Sequence, residues 1–205
     1  MTIHPAVGFA IAYAAGSIPA AYLAGKWRGI DLRRHGSGNL GATNVVRTLG
    51  WRIGLLVFLF DAAKGAVPVL LVPPVTASGL SREALGILYG FGAILGHARP
   101  LFLKFGKGGK GVATSAGVFA ALAPLALAIS FSVFVVVLLT SGYVSLGSLV
   151  AAVVLPVVLA YTHGTRTPLF ALSVLLTAFV FWTHRANIGR LRRGEEHRFG
   201  RKAAG

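Results

Sequence analysis

Residues 112–140 read VATSAGVFAALAPLALAISFSVFVVVLLT, a stretch of 29 residues without one charged side chain. A helix crosses a bilayer with about 20 mostly apolar residues, and the usual range is roughly 17 to 25. The stretch is therefore too long for one ordinary crossing, and Pro124 lies inside it. Because proline interrupts helices, we predict two helices that form a tight hairpin with Pro124 near its turn.

Five further apolar segments lie on either side of this stretch, at residues 6–23, 53–72, 85–100, 146–161 and 169–182. The chain of 205 residues is 55% hydrophobic and only 12% charged, whereas soluble domains carry about 25% charged residues. A domain of this length cannot bury so much apolar surface in a core of its own, because small domains have too much surface. The composition predicts an all-α, polytopic integral membrane protein.

The positive charges predict how the chain crosses the membrane. There are 20 Lys and Arg against 5 Asp and Glu, a net charge of +15. All but Lys64, Arg82 and Arg166 lie in three blocks, residues 26–52, 99–110 and 185–202. Lys and Arg gather in cytoplasmic loops, and the blocks share one side only if residues 112–140 cross twice. We predict seven transmembrane helices, with the N-terminus outside and the C-terminus cytoplasmic.

We predict a single membrane-embedded domain over residues 1–205, in which the basic tail at 194–205 is solvated and partly disordered. The net charge of +15 is compatible with three kinds of partner, namely nucleic acid, anionic lipid and an anionic substrate. The chemistry has to be sought in the segments that are rich in glycine, small polar side chains and cations.

The first such segment is GSGNLGATN at residues 36–44, followed by Arg47. Glycines let backbone N–H groups approach an anion closely, and such concave backbone nests bind phosphate. Ser37, Asn39 and Thr43 add neutral donors, and Arg47 can bind a phosphate through two parallel hydrogen bonds. The alternative is a loop that merely turns the chain, since Gly and Asn are common in turns.

The second segment is GHARP at residues 96–100, then Lys104, then GKGGKGVAT at residues 106–114. The Gly/Lys run opens a helix, and the amides and dipole of a helix N-terminus favour an anion. The spacing excludes a Walker A loop, because no Ser or Thr follows Gly-Lys where that motif needs one. The alternative is anchoring at the cytoplasmic face, which explains the lysines but not the four glycines of this run.

The third segment is HRANIGRL at residues 184–191. At helical spacing His184, Asn187 and Leu191 share one face. The arginines that follow are equally suited to lipid headgroups and to a ligand; they are Arg190, Arg192 and Arg193. A shorter polar segment around Ser145 is weak evidence on its own.

Other kinds of chemistry find little support in the sequence. There is no Cys, the histidines at 4, 35, 163 and 197 are isolated, and no HExxH pattern occurs, so we predict no metal and no cofactor. A Ser hydrolase needs a His and an orienting carboxylate, and no GxSxG pattern accompanies the acids. Asp61 and Lys64 lie inside an apolar segment, where charges are costly in lipid, and we expect them to form an inward-facing ion pair.

Taken together, the three segments resemble the three motifs of one bacterial family, the acyl-phosphate:glycerol-3-phosphate acyltransferases called PlsY. The matching stretches are SGNLGATNVVR at residues 37–47, GHARPLFLKFGKGGKGVAT at 96–114 and HRANIGRLRRGEE at 184–196. They occur in order and cover nearly the whole chain. One departure is Gly106, which looks like an extra residue before Lys107.

The resemblance implies a seven-helix fold in a bacterial inner membrane, with the motifs on the cytoplasmic side. It implies transfer of a fatty acyl group from acyl phosphate to the 1-hydroxyl of glycerol 3-phosphate, the first step of phospholipid biosynthesis. The products are 1-acylglycerol 3-phosphate (lysophosphatidate) and phosphate. Membrane lipid surrounds the protein, and nucleic acid is not expected as a partner. No cofactor is implied.

The same resemblance assigns roles to individual residues. Three are candidates for the catalytic site, namely His184, Ser37 and Asn187. Eight are candidates for binding substrate phosphate, namely Arg47, Lys104, Lys107, Gly108, Gly109, Ser145, Asn39 and Thr43. His97, Lys110 and Glu196 also match motif positions, and no residue is a candidate metal ligand.

Two alternatives remain open from the residues themselves. His184 can act as general base, since an imidazole suits neutral pH, or a phosphate oxygen of the acyl donor can take the proton while His184 orients the substrate. We favour the second.

A transporter for a phosphorylated anion would also be cationic and rich in glycine, although transporters place charges near the midplane and these cations lie in end loops.

Overall fold

The computed structural model describes residues 4–71 and 79–199. In these residues ten α-helices follow one another without a strand: α1 (Pro5–Gly16), α2 (Ala20–Trp27), α3 (Ala42–Leu49), α4 (Trp51–Leu70), α5 (Arg82–Ala98), α6 (Val112–Leu122), α7 (Pro124–Ser141), α8 (Val144–Thr162), α9 (Pro168–Thr183) and α10 (Arg185–Arg192). The prediction of an all-α protein is confirmed. Val72, the end of the second predicted span, and residues 200–205 of the tail lie outside the described residues.

Local sequence explains where several helices begin. A proline occupies the first turn of α1, α7 and α9, where its missing N–H has no intrahelical partner to lose. The Ser81 side chain accepts a hydrogen bond from the N–H of Ala84 and so caps α5. The long stretch at residues 112–140 breaks at Ala123, and Pro124 begins α7. The predicted break is therefore confirmed, while the tight hairpin stays a prediction.

Within residues 4–71 and 79–199, four helical segments are long and apolar enough to cross a membrane: Pro5–Trp27, Trp51–Leu70, Pro124–Ser141 and Val144–Thr162. A fifth is added if α9 and α10, which are bent by 59°, count as one broken span. Helix α5 has 17 residues and α6 has 11, so both are shorter than these. The seven crossings and the orientation of the termini therefore stay predictions.

The first of these segments is interrupted at residues 17–19, between α1 and α2. Pro19 lacks a backbone N–H, and the Ser17 hydroxyl donates to the carbonyl of Tyr13, 2.8 Å away. The break leaves the Ile18 carbonyl facing α4, where it accepts a hydrogen bond of 2.8 Å from Lys64 Nζ. An irregular turn within an apolar segment thus supplies an acceptor to a buried cation.

The chain forms two compact units, which divide after Leu122. In the first unit α4 packs against α5 and α6, and α1 packs against α5. Small residues allow these close approaches: a methyl group at Gly65 would overlap the carbonyl of Thr114, and one at Gly117 would overlap that of Ala62. The prediction of one domain over residues 1–205 is not tested by this division.

In the second unit α8 packs against both α7 and α9. Gly147 of α8 lies against the ring and carbonyl of Phe134, so that a larger side chain would collide there. The Thr177 hydroxyl of α9 donates to the carbonyl of Ala152 in α8. Helix α9 leads into the short α10 through His184, which ends one helix and begins the other.

Candidate functional site

The loop before α3 is organised by the buried side chain of Asn44. Its Oδ1 accepts a hydrogen bond of 2.9 Å from the N–H of Ser37, and its Nδ2 donates to the carbonyls of Leu32 and His35 at 3.3 and 3.1 Å. Gly36 has a φ of +58°, and a side chain there would overlap Asn44 Oδ1. Asn44 therefore holds the loop in place, a role that the sequence did not single out.

This loop and α3 carry the predicted residues of the first segment. Ser37 and Arg47 are exposed, and Asn39 and Thr43 are partly buried. Gly41 caps α3, Thr43 lies in its first turn and Arg47 in its last. Asp31, the acid nearest to this loop in the sequence, is bound to Arg33 at 2.7 Å, and the hydrogen bond from that guanidinium lowers the pKa of the carboxyl to about 2.

The middle of the second segment contains a strained stretch of backbone. After a 3₁₀ turn at Leu101–Leu103, Lys104 and Phe105 have φ angles of +52° and +58°, which residues other than glycine seldom adopt. Gly106 follows and donates its N–H to the carbonyl of Leu103 at 3.0 Å. Lys104 and Lys107 are both exposed, so the two predicted phosphate ligands lie on either side of a tight turn.

Gly108 and Gly109 lie against the end of α5. Their N–H groups donate to the carbonyls of Ala98 and His97 at 3.0 and 3.2 Å. A methyl group at Gly108 would overlap the His97 carbonyl, and one at Gly109 would overlap His97 Nε2 and lie 2.8 Å from the Leu40 carbonyl. These glycines are thus required for close packing, and their N–H groups point at α5 instead of at a ligand. The first and second segments meet here.

Backbone N–H groups that can bind an anion lie just after these glycines, at the start of α6. Helix α6 begins at Val112 directly after the Gly/Lys run, as predicted. The first N–H groups of a helix have no carbonyl partner within that helix, and its dipole places partial positive charge there. The start of α6, together with Lys107, is therefore better suited to a phosphate than the N–H groups of Gly108 and Gly109.

A buried group of charged and titratable side chains lies beneath this run. Lys64 Nζ is 2.7 Å from Asp61 Oδ1, and His97 Nδ1 is 3.6 Å from the same oxygen. Asp61, Lys64 and His97 are 2%, 6% and 6% exposed. The three side chains line a small cavity that also touches Gly108 and Gly109. The predicted inward-facing pair of Asp61 and Lys64 is confirmed, and His97 is an addition to it.

In the second unit Glu196 is the centre of a hydrogen-bond cluster. Its Oε1 accepts from Ser145 Oγ at 3.0 Å and from Asn187 Nδ2 at 2.7 Å, and its Oε2 accepts from Arg190 Nε at 2.7 Å. Burial raises the pKa of the carboxyl, but hydrogen bonds from Asn187, Arg190 and Ser145 and the charge of Arg190 outweigh burial, so the net pKa is lowered. The carboxylate is held ionised.

This cluster changes how three predicted residues are understood. The Ser145 hydroxyl gives its single hydrogen to Glu196, so in this arrangement it does not donate to a phosphate. Asn187 is likewise tied to Glu196. Glu196 itself is only 6% exposed, and the expectation of a solvated tail from residue 194 is therefore wrong for this residue, because two helices supply donors that replace water.

His184 is buried at the junction of α9 and α10. Its Nδ1 lies 2.8 Å from the carbonyl oxygen of Val180, and because a carbonyl can only accept, Nδ1 carries the hydrogen. Nε2 is then the acceptor nitrogen of the neutral ring. His184 and Asn187 are both buried and Leu191 is partly buried, which agrees with the shared face predicted for them.

Comparison with known proteins gives one consistent result. The glycerol-3-phosphate acyltransferase family matches residues 6–194. The glycerol-3-phosphate acyltransferase of Geotalea daltonii is 43% identical over 93% of this chain and 95% of its own length. That of Synechococcus sp. strain CC9902 is 47% identical over 94% of both chains.

Solved structures agree in fold as well as in sequence. The crystal structure of PlsY, an integral membrane glycerol 3-phosphate acyltransferase, in its glycerol 3-phosphate form is 40% identical and covers 96% of both chains with a TM-score of 0.87. Its lysophosphatidic acid form gives 39% identity and a TM-score of 0.83 over 96% of this chain and 95% of that one. The family resemblance drawn from the three motifs is confirmed, and the apolar helices are embedded in a membrane. The chain belongs to the glycerol-3-phosphate acyltransferase family, membrane enzymes of phospholipid synthesis.

Proposed function

We propose that this acyltransferase takes its acyl group from acyl phosphate and transfers it to the 1-hydroxyl of glycerol 3-phosphate. The observation that carries the proposal is the exposed set of cations along the first two segments, Arg47, Lys104 and Lys107, the last of which shortly precedes the start of α6. Two phosphate-bearing substrates suit such a set. The relative solved in a glycerol 3-phosphate form and a lysophosphatidic acid form supports the same acceptor and product.

The reaction needs no covalent intermediate on the protein, because an acyl phosphate is already activated. The hydroxyl oxygen attacks the carbonyl carbon, the bond from that carbon to the phosphate oxygen breaks, and phosphate departs with the proton. The protein has to hold the hydroxyl near the carbonyl and neutralise the charge on the departing phosphate. We assign phosphate binding to Arg47, Lys104 and Lys107, and neutral donation to Ser37, Asn39 and Thr43.

The donor is tested with purified protein in detergent. We expect phosphate release from palmitoyl phosphate only when glycerol 3-phosphate is also present, with one lysophosphatidate formed for each phosphate. Palmitoyl-CoA in place of palmitoyl phosphate should release no CoA. Equal turnover with palmitoyl-CoA would overturn the choice of donor while leaving the acyltransferase family unaffected.

We propose that the acyl phosphate takes the hydroxyl proton and that His184 orients the substrate. With Nδ1 facing the Val180 carbonyl, Nε2 is the nitrogen that would act in either role, so kinetics must distinguish them. For an obligate base, His184→Asn should lower kcat by about 10²–10⁴-fold and remove any inflection near a histidine pKa. For an orienting residue, Asn still forms hydrogen bonds and the change falls mainly on KM. We expect the second pattern in kcat and KM measured against pH with saturating acyl phosphate.

We propose seven crossings in the inner membrane, with the site and the C-terminus on the cytoplasmic face. The support is the clustering of all but three of the 20 basic residues in three blocks. Single cysteines at Arg47, Lys107 and Arg193 can be introduced without background, since the chain has no Cys. None should react with an impermeant thiol reagent in intact cells, and all should react after lysis. Labelling of any one from outside contradicts the arrangement.

A further inference from the structure

The group formed by Asp61, Lys64 and His97 joins three separate parts of the first unit. Lys64 Nζ contacts Asp61 Oδ1 at 2.7 Å and donates to the Ile18 carbonyl at 2.8 Å, which ties α4 to the break between α1 and α2. His97 Nδ1 faces the same Asp61 oxygen at 3.6 Å from the last turn of α5. The His97 ring thus faces Asp61, which is itself paired with Lys64 on α4.

The opposite edge of that ring supports the Gly/Lys run. Gly109 packs on His97 Nε2 so closely that not even a methyl group fits between them, and its N–H is bound to the His97 carbonyl at 3.2 Å. Gly109 also approaches the Leu40 carbonyl of the first loop. Any displacement of the ring must therefore move the run, and with it Lys107 on one side and the start of α6 on the other.

Packing alone does not require such a group. Apolar side chains of similar volume usually replace a buried ion pair without loss of stability, and sometimes with a gain. Charges within a membrane segment are costly and generally have a functional reason. Here the three polar side chains line one small cavity together with Gly108 and Gly109 of the run, and His97 packs directly on Gly109.

We propose that His97 is a positioning residue, held by the Asp61–Lys64 pair, that sets the place of the loop at residues 107–110 for binding a substrate phosphate. The inference rests on the proposed function of that loop. His97 and Asp61 do not touch the substrate in this proposal. They act through the backbone of Gly108 and Gly109, whichever of the two substrates supplies the phosphate.

The test separates the two edges of the His97 ring. In His97→Asn the amide nitrogen stands as many bonds from Cα as Nδ1 and can still face Asp61, whereas in His97→Gln it corresponds to Nε2 and the link to Asp61 is lost. We expect His97→Gln and Asp61→Asn to raise KM for glycerol 3-phosphate or for palmitoyl phosphate by about tenfold, the order of the coupling between residues in contact. The change in kcat should be smaller, and His97→Asn, which keeps the link to Asp61 but removes the edge on which Gly109 packs, should raise the same KM.

Val69→Ala is the matched control, because Val69 is buried on the same helix, 6% exposed, and outside the group. It should lower thermal stability without changing either KM. The coupling is measured by adding Lys107→Ala, whose effect on KM should be smaller in the His97→Gln background than in the wild type, since contacting or coupled sites are not additive.

The outcomes distinguish this inference from the proposed function. If Lys107→Ala alone leaves both KM values unchanged, the loop does not bind phosphate, and the proposed function of the loop and this inference fail together. If Lys107→Ala raises KM while His97→Gln and Asp61→Asn do not, only this inference is overturned. The same holds if the effects of Lys107→Ala and His97→Gln simply add.

Discussion

Each compact unit contains a buried carboxylate, but Asp61 and Glu196 are stabilised differently. The side chains of Asp61 and its partner Lys64 are 3% and 4% exposed, on a helix that is long and apolar enough to cross a membrane. Glu196 is equally buried, yet its partner Arg190, in the short helix α10, is 27% exposed. Glu196 accepts hydrogen bonds on both oxygens from Ser145, Asn187 and Arg190, whereas Asp61 relies on one buried cation and a nearby histidine.

This difference determines how much stability the protein loses when each carboxylate is removed. Without Asp61, Lys64 would stay buried in an apolar helix without its carboxylate partner, although its hydrogen bond to the Ile18 carbonyl would remain. Without Glu196, Arg190 can turn to water. The surroundings of the cation therefore decide how much stability depends on each acid, even though the two ion pairs have the same length of 2.7 Å.

The largest effect is expected from Asp61→Leu. Leaving a buried charge without its partner costs about 3–5 kcal/mol, so the thermal midpoint in detergent should fall sharply. The double variant Asp61→Leu with Lys64→Leu should recover most of this stability, because no charge is then left alone. Glu196→Leu should be milder than Asp61→Leu. A double variant as unstable as the single one would show that the two residues do not depend on each other.

A smaller effect separates the two arginines by their roles. Arg47→Lys keeps the charge but loses the planar fork that can bind phosphate, and we expect kcat/KM to fall by the equivalent of about 1–3 kcal/mol. Arg190→Lys in the second unit should instead lower the midpoint, because Arg190 binds Glu196. Near-normal kinetics for Arg47→Ala would remove Arg47 from the phosphate site.

The smallest effect is the response of the second unit to acid. Since the folded pKa of Glu196 is lowered from its ordinary value of 4.5, its ionised form stabilises the fold above that value, and the contribution disappears as pH falls through the lowered pKa. Glu196→Gln should therefore lower stability by about 1 kcal/mol near pH 7, and by less as the pH drops below 4.5. Glu195→Gln is the control, because the exposed pair of Glu195 and Arg193 contributes little. A pH-independent difference would show that Glu196 acts by shape alone.

The sequence predicted the apolar helices because lipid demands long uncharged runs, and it predicted the Asp61–Lys64 pair because neither charge is tolerated alone there. It did not predict Asn44 or Glu196 as centres of hydrogen bonding. Their partners are separated from them by 7 to 12 and by 6 to 51 positions, and no periodicity relates them. Nor did it predict that the N–H groups of Gly108 and Gly109 are used by α5, because glycine permits a close approach to backbone and to ligand alike.

The break between α1 and α2 has a consequence for biogenesis. A helix that carries Asp61 and Lys64 enters the bilayer against a cost of about 2.5–3.5 kcal/mol for each central charge. The Ile18 carbonyl that receives Lys64 belongs to the first membrane segment, which is synthesised and inserted before α4. Because the chain is synthesised from its N-terminus, the acceptor precedes the lysine, and we expect this order to lower the cost of inserting α4.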